Sequence, residues 1–134
     1  RVARTEHVAR QRLADLFLDT LPVNAHTTAS EALWAGVPLV TCLGTTFPGR
    51  VAASLLGAVG LPELVTHRLA DYEALALGLA RDAARLAALR EKLARNRLAC
   101  PLFDSARTCR HIESAYLRMW EMHQRGEPPR SFSL

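Results

Sequence analysis

Lysine is almost missing from this chain of 134 residues: Lys92 is the only one, and arginine supplies the rest of the 17 basic side chains. Three cysteines, Cys42, Cys100 and Cys109, have neither metal-site spacing nor the even number of a disulfide framework. Reduced thiols are the simplest reading, and they suit a cytoplasmic protein. No apolar run nears the roughly 18 residues of a membrane span. No signal-peptide pattern opens the chain. An Asp-x-Asp metal pair is absent. The arginines are spread along helical faces, so a net charge of +4 reads as a solvated surface. A nucleic-acid footprint would be clustered on one face or stripe.

What is present is a core. Apolar residues make up 49% of the chain, and no segment has the composition of a disordered one. The length allows one domain or part of one. A chain that opens on Arg1 and not Met is expected to be a fragment of a larger protein.

Periodicity divides the chain into two segments. In residues 1–68, short apolar runs alternate with helical patterns. The spacing predicts a helix over 4–14, a strand over 16–19 and a helix over 27–35 ended by a left-handed Gly36. A strand over 37–41, a loop over 43–49, a helix over 50–59 and a brief strand over 63–65 follow. Such alternation marks parallel βαβ units. In residues 69–134 the pattern is helical throughout. Leu75, Leu79, Leu86, Leu89 and Leu93 recur at helical spacing, with Asp82 placed to cap a break. Pro101 stops the run, and Asp104 or Ser105 starts a last helix bearing Ile112, Tyr116, Met119, Trp120 and His123. The fold class is therefore α/β, short parallel strands followed by three long helices, with Trp34 expected in the core.

The segment His26-Thr27-Thr28-Ala29-Ser30-Glu31 carries the most chemistry. It lies between a strand and a helix. The first N–H groups of a helix have no partners within it, and its dipole adds positive charge there. A diphosphate satisfies both, and threonine hydroxyls add donors. Each residue also has a plain structural role open to it. Thr28 and Glu31 fit a capping box. His26 could bond a loop carbonyl, and His7 could be a surface histidine. Arg4 and Arg10 could be solvated, and Asp19 could brace the loop.

The ordered set Glu6-His7-Val8, Leu13-Ala14-Asp15, Leu18-Asp19-Thr20, His26-Thr27-Thr28, Leu33-Trp34-Ala35-Gly36 and Arg50-Val51-Ala52-Ala53-Ser54 resembles the C-terminal catalytic lobe of O-linked N-acetylglucosamine transferases, in a bacterial-type form. Pro101-Leu102-Phe103 and the ending Tyr116-Leu117-Arg118-Met119-Trp120-Glu121 are similar too. The resemblance implies a GT-B glycosyltransferase and makes this chain the C-terminal part of one Rossmann-like lobe. Residues 1–68 would be its nucleotide-sugar-binding segment and residues 69–134 its helical end. The implied reaction moves N-acetylglucosamine from UDP-GlcNAc to Ser/Thr hydroxyls of proteins.

By the same resemblance, His7 stacks on uracil, Arg10 bonds it, and Arg4 stands near the ribose. Thr27 and Thr28 hold the diphosphate beside His26, and Glu31 accepts from the ribose hydroxyls. No catalytic residue is expected within the chain, and neither cofactor nor metal is required. The implied partners are the UDP-sugar, an N-terminal catalytic lobe, and a protein or peptide acceptor bound by an upstream region with tetratricopeptide repeats. Thr45 and Pro48 depart from the family pattern. A UDP-glucose-using or asparagine-modifying relative, or a non-catalytic module of the same fold, stays open on the sequence.

Overall fold

The computed structural model describes residues 2–134, with Arg4 described by its backbone alone. Contacts divide the chain into two units, Arg1–Leu102 and Phe103–Leu134.

The first unit runs α1 (Arg4–Gln11), β1 (Phe17–Leu18), α2 (Thr27–Ala35), β2 (Leu39–Cys42), α3 (Val51–Ala58), β3 (Val65–Thr66), α4 (Leu69–Arg81) and α5 (Ala83–Asn96). The strands form one parallel sheet in the order β1-β2-β3. Phe17 pairs with Leu39 and Leu18 with Val40 on one side of β2, and Thr41 pairs with Val65 and Cys42 with Thr66 on the other. All four residues of β2 are buried, as expected of a parallel strand covered on both faces. Helices α2, α3 and α4 pack on β2, and Leu33 of α2, Leu56 of α3, Leu79 of α4 and Leu93 of α5 are fully buried.

Helix α2 is short and mostly of small residues, which lets it lie close to the sheet. Ala29, Ala32, Leu33 and Ala35 form its buried face. Ala32, Ala35 and Val37 cluster with Val8 of α1 and Phe17 of β1. Gly36 ends the helix at φ +88°, a conformation that costs any residue with a Cβ. Val37 N–H then donates to Ala32 O at 2.9 Å, the bond that closes a Schellman ending. This reversal turns the chain directly into β2.

Three expectations are corrected. Residues 12–14 leave the helix for tight turns, with Arg12, Leu13 and Ala14 N–H donating to the carbonyls of Ala9, Arg10 and Gln11. Pro62–Leu64 form a 3₁₀ turn, because proline fixes the φ of a first helical residue; the third strand begins at Val65. Trp34 is no core residue: it is 46% exposed, with the Arg97 guanidinium 5.3 Å from its ring centre.

The long helices stand as the leucine spacing predicts. Asp82 caps α5 by accepting from Arg85 N–H at 2.8 Å. The second unit holds α6 (Ser105–Gln124), capped by Asp104, which accepts from Arg107 N–H at 2.8 Å.

Candidate functional site

Parallel strands bring the loops that leave their carboxyl ends to one rim of the sheet, the usual place for a ligand in such folds. Two loops meet there: residues 19–26 after β1 and residues 43–50 after β2. They are tied together. Asn24 N–H donates to Pro48 O at 3.0 Å. His26 Nε2 lies 3.4 Å from the same carbonyl, and its ring meets Phe47 edge-on at 6.4 Å between centres. The second loop closes on itself through Gly44 N–H to Gly49 O at 2.7 Å.

The first loop delivers the chain to the start of α2. His26 is the N-cap residue, with no side-chain cap hydrogen bond. Thr28 is therefore the second helical residue and not the cap, and the capping-box geometry of Thr28 with Glu31 is not formed. His26, Thr27 and Thr28 are all exposed. The exposed Thr27 and Thr28 side chains and the first-turn N–H groups stand at the positive end of the helix, where an anion is favoured.

Helix α1 lies beside this end. His7 Nε2 is 3.7 Å from Glu31 Oε2. Arg10 Nη2 donates to His7 Nδ1 at 2.9 Å. A guanidinium only donates, so Nδ1 accepts and the ring proton sits on Nε2. Gln11 lies 3.3 Å from that nitrogen. The Glu31 carboxylate faces that N–H, and Gln11 Oε1 is buried without a hydrogen-bond partner among the described residues. An open cavity of about 230 Å³ lies between the two helices. Its polar lining is His7, Gln11 and Thr28, and its apolar lining is Ala14, Phe17, Ala32 and Val37.

His7, Arg10, Thr28 and Glu31 are thus gathered by the α1–α2 contact, with His26 and Thr27 one step along the same rim. The Arg4 side chain lies outside the described residues. Arg50 is exposed at the start of α3.

The part of the site that local sequence reasoning undervalued is the support beneath the turn. Asp19 is 6% exposed. Its Oδ1 accepts from Thr20 N–H at 2.9 Å and Ala25 N–H at 2.7 Å, and its Oδ2 from the Thr41 hydroxyl at 2.6 Å. The Tyr72 hydroxyl of α4 donates to Asp19 O at 2.9 Å. Burial holds the Tyr72 hydroxyl above its ordinary pKa, with the Asp19 charge and the Cys42 thiol adding to the effect, so it stays protonated and able to donate. An acidic residue at a strand end, followed by a turn, was the one local signal.

Among the described residues no cluster of three or more His, Cys, Asp or Glu could hold a metal, and no helix is long and apolar enough to cross a membrane.

A twisted parallel sheet whose loops and helix start gather at its carboxyl rim is an α/β lobe of the Rossmann-like kind. The chain belongs to glycosyl transferase family 41, whose model matches residues 1–112. It is 41% identical over 132 residues to the probable UDP-N-acetylglucosamine–peptide N-acetylglucosaminyltransferase SEC of Arabidopsis thaliana, covering 98% of this chain and 14% of that protein. It is 40% identical over 126 residues to the UDP-N-acetylglucosamine–peptide N-acetylglucosaminyltransferase of Caenorhabditis elegans, covering 94% of this chain and 11% of that one. A mutant O-GlcNAc transferase of Thermobaculum terrenum superposes with a TM-score of 0.83 at 44% identity, over 89% of this chain and 23% of that structure. The match is to the C-terminal lobe of a GT-B enzyme. The chain thus spans about an eighth of the two curated relatives' length and less than a quarter of the solved one.

Proposed function

We propose that this chain is the UDP-holding part of a protein O-GlcNAc transferase, acting with an N-terminal lobe and with an acceptor-binding region upstream. The observation that carries the reading is the meeting of His7 and Thr28 on one cavity, with Arg10 on one side of the imidazole and Glu31 on the other. An apolar floor with a polar rim suits a nucleobase. Thr27, Thr28 and the first turn of α2 suit the diphosphate. Glu31 suits ribose hydroxyls, and Arg4 would stand near them.

The chemistry asked of these groups is charge stabilisation. As the sugar leaves UDP, positive charge grows on the sugar and negative charge on the diphosphate. Helix N–H groups and threonine hydroxyls aimed at the leaving oxygens stabilise that charge, each by about 3 kcal/mol at a preorganised site. These donors neutralise the phosphates without a metal, and the reaction is metal-independent on this reading. The acceptor's base belongs to residues outside this chain. The place of action is the cytoplasm, in keeping with the reduced thiols.

Calorimetric titration of the full-length protein with UDP tests the site. His26→Ala, Thr27→Ala and Glu31→Ala each weaken binding; unchanged affinity in all three removes these residues from it. Transfer of labelled sugar from UDP-GlcNAc to total cell protein tests turnover, and UDP binding without transfer points to a non-catalytic module.

A further inference from the structure

Asp19 is a buried carboxylate that the leaving-group chemistry does not use. Its oxygens are occupied from three directions. Oδ1 takes the N–H of Thr20 and of Ala25, which stand at the two ends of the turn. Oδ2 takes the Thr41 hydroxyl from β2. The backbone oxygen takes the Tyr72 hydroxyl from α4. Within the turn, the Thr20 hydroxyl donates to Val23 O at 2.7 Å and Asn24 Nδ2 to Thr20 O at 3.0 Å. The turn is therefore closed by its own bonds; Asp19 fastens it to β2 and α4, and Asn24 N–H ties it to the loop after β2. Ala25, one end of that clasp, directly precedes His26 and the start of α2.

We infer that Asp19, held by Thr41 and Tyr72, is a positioning residue that sets where the first turn of α2 presents Thr27 and Thr28 to the diphosphate. The inference rests on the nucleotide-binding reading given above. Asp19 touches neither nucleotide nor sugar; it fixes the fraction of molecules whose turn is ready to bind. A ligand that binds only the ready form has its dissociation constant raised by the inverse of that fraction. Saturating donor refills the ready form, so the effect falls on KM and spares kcat.

The test uses the full-length protein. Thr41→Val removes one donor to Asp19 while keeping the side chain's shape; Asp19→Asn removes the charge. Each is expected to raise the UDP dissociation constant and the KM for UDP-GlcNAc by about tenfold, as when one turn in ten stays ready, with kcat within about twofold. Thr41→Ser, which restores the hydroxyl, is expected to bring both values back. A purely structural role would lower the unfolding temperature and leave KM unmoved wherever the protein is folded. If either variant fails to fold, Tyr72→Phe makes the same comparison with an expected rise of about threefold. Folded variants that bind UDP within twofold of the parent overturn the role of Asp19 alone. A parent protein that binds no UDP overturns the nucleotide-site reading itself.

Discussion

His7 and Glu31 face each other from two helices, Nε2 to Oε2 at 3.7 Å, and Arg10 fixes the imidazole from its other nitrogen. Residues in contact do not act independently. On the proposed reading, His7→Ala and Glu31→Ala are each expected to weaken UDP binding. The double variant loses less than the sum of the two, by about 1 kcal/mol. A double-mutant cycle by calorimetry checks this, and strict additivity would separate the two residues.

Leu33 is fully buried between α2 and the sheet. Leu33→Ala leaves a cavity where α2 meets β2 and lowers stability by about 2–5 kcal/mol. The midpoint of urea unfolding followed by circular dichroism measures it.

Two glycines separate backbone strain from crowding. A Cβ at Gly36 meets nothing within 4 Å, but φ is +88°. Gly36→Ala therefore costs about 1 kcal/mol of stability and leaves UDP affinity unmoved. A Cβ at Gly49 would stand 3.0 Å from Pro22 O and 3.2 Å from Gly44 Cα. Gly49→Ala pushes the two rim loops apart and weakens UDP binding by about tenfold, as a shift to one ready molecule in ten would. Paired denaturation and titration distinguish the two variants.

Tyr72 has a pKa raised in the folded protein, chiefly by burial. The unfolded chain loses that proton more readily. The stability tied to it is complete below the unfolded value of about 10 and is lost as pH rises through the higher folded value. Unfolding midpoints measured from about pH 9 to about pH 11 should fall for the parent and fall less for Tyr72→Phe. Parallel slopes would exclude the effect.

Helix α2 was legible to the residue, because Gly36 and the hydroxyl pair before Ala29 are local signals. Asp82 and Asp104 were legible for the same reason. The third strand was misplaced because Pro62 starts a turn that buries Leu64 as a strand would. Trp34 was misjudged because periodicity does not tell which side of a short helix meets the sheet; Arg97 covers its ring from the turn that follows α5. His7 and Arg10 could be placed on one face of α1 from their spacing, but their approach to Glu31 depends on how α1 lies against α2. The Asp19 clasp joins residues 22 and 53 positions apart, and no local pattern announces such bonds.

Gly36 turns the chain so sharply that β1 and β2 run side by side, and both therefore shed their loops on the same edge. One of those loops begins α2; the other, residues 43–50, only leans on it through Asn24 and His26. Thr45, Thr46 and Phe47 are exposed there, whereas Leu33, Leu39 and Val40 are fully buried. On the proposed reading, substitutions at these three exposed positions would alter the rim beside His26 and leave the buried interior beneath α2 as it is.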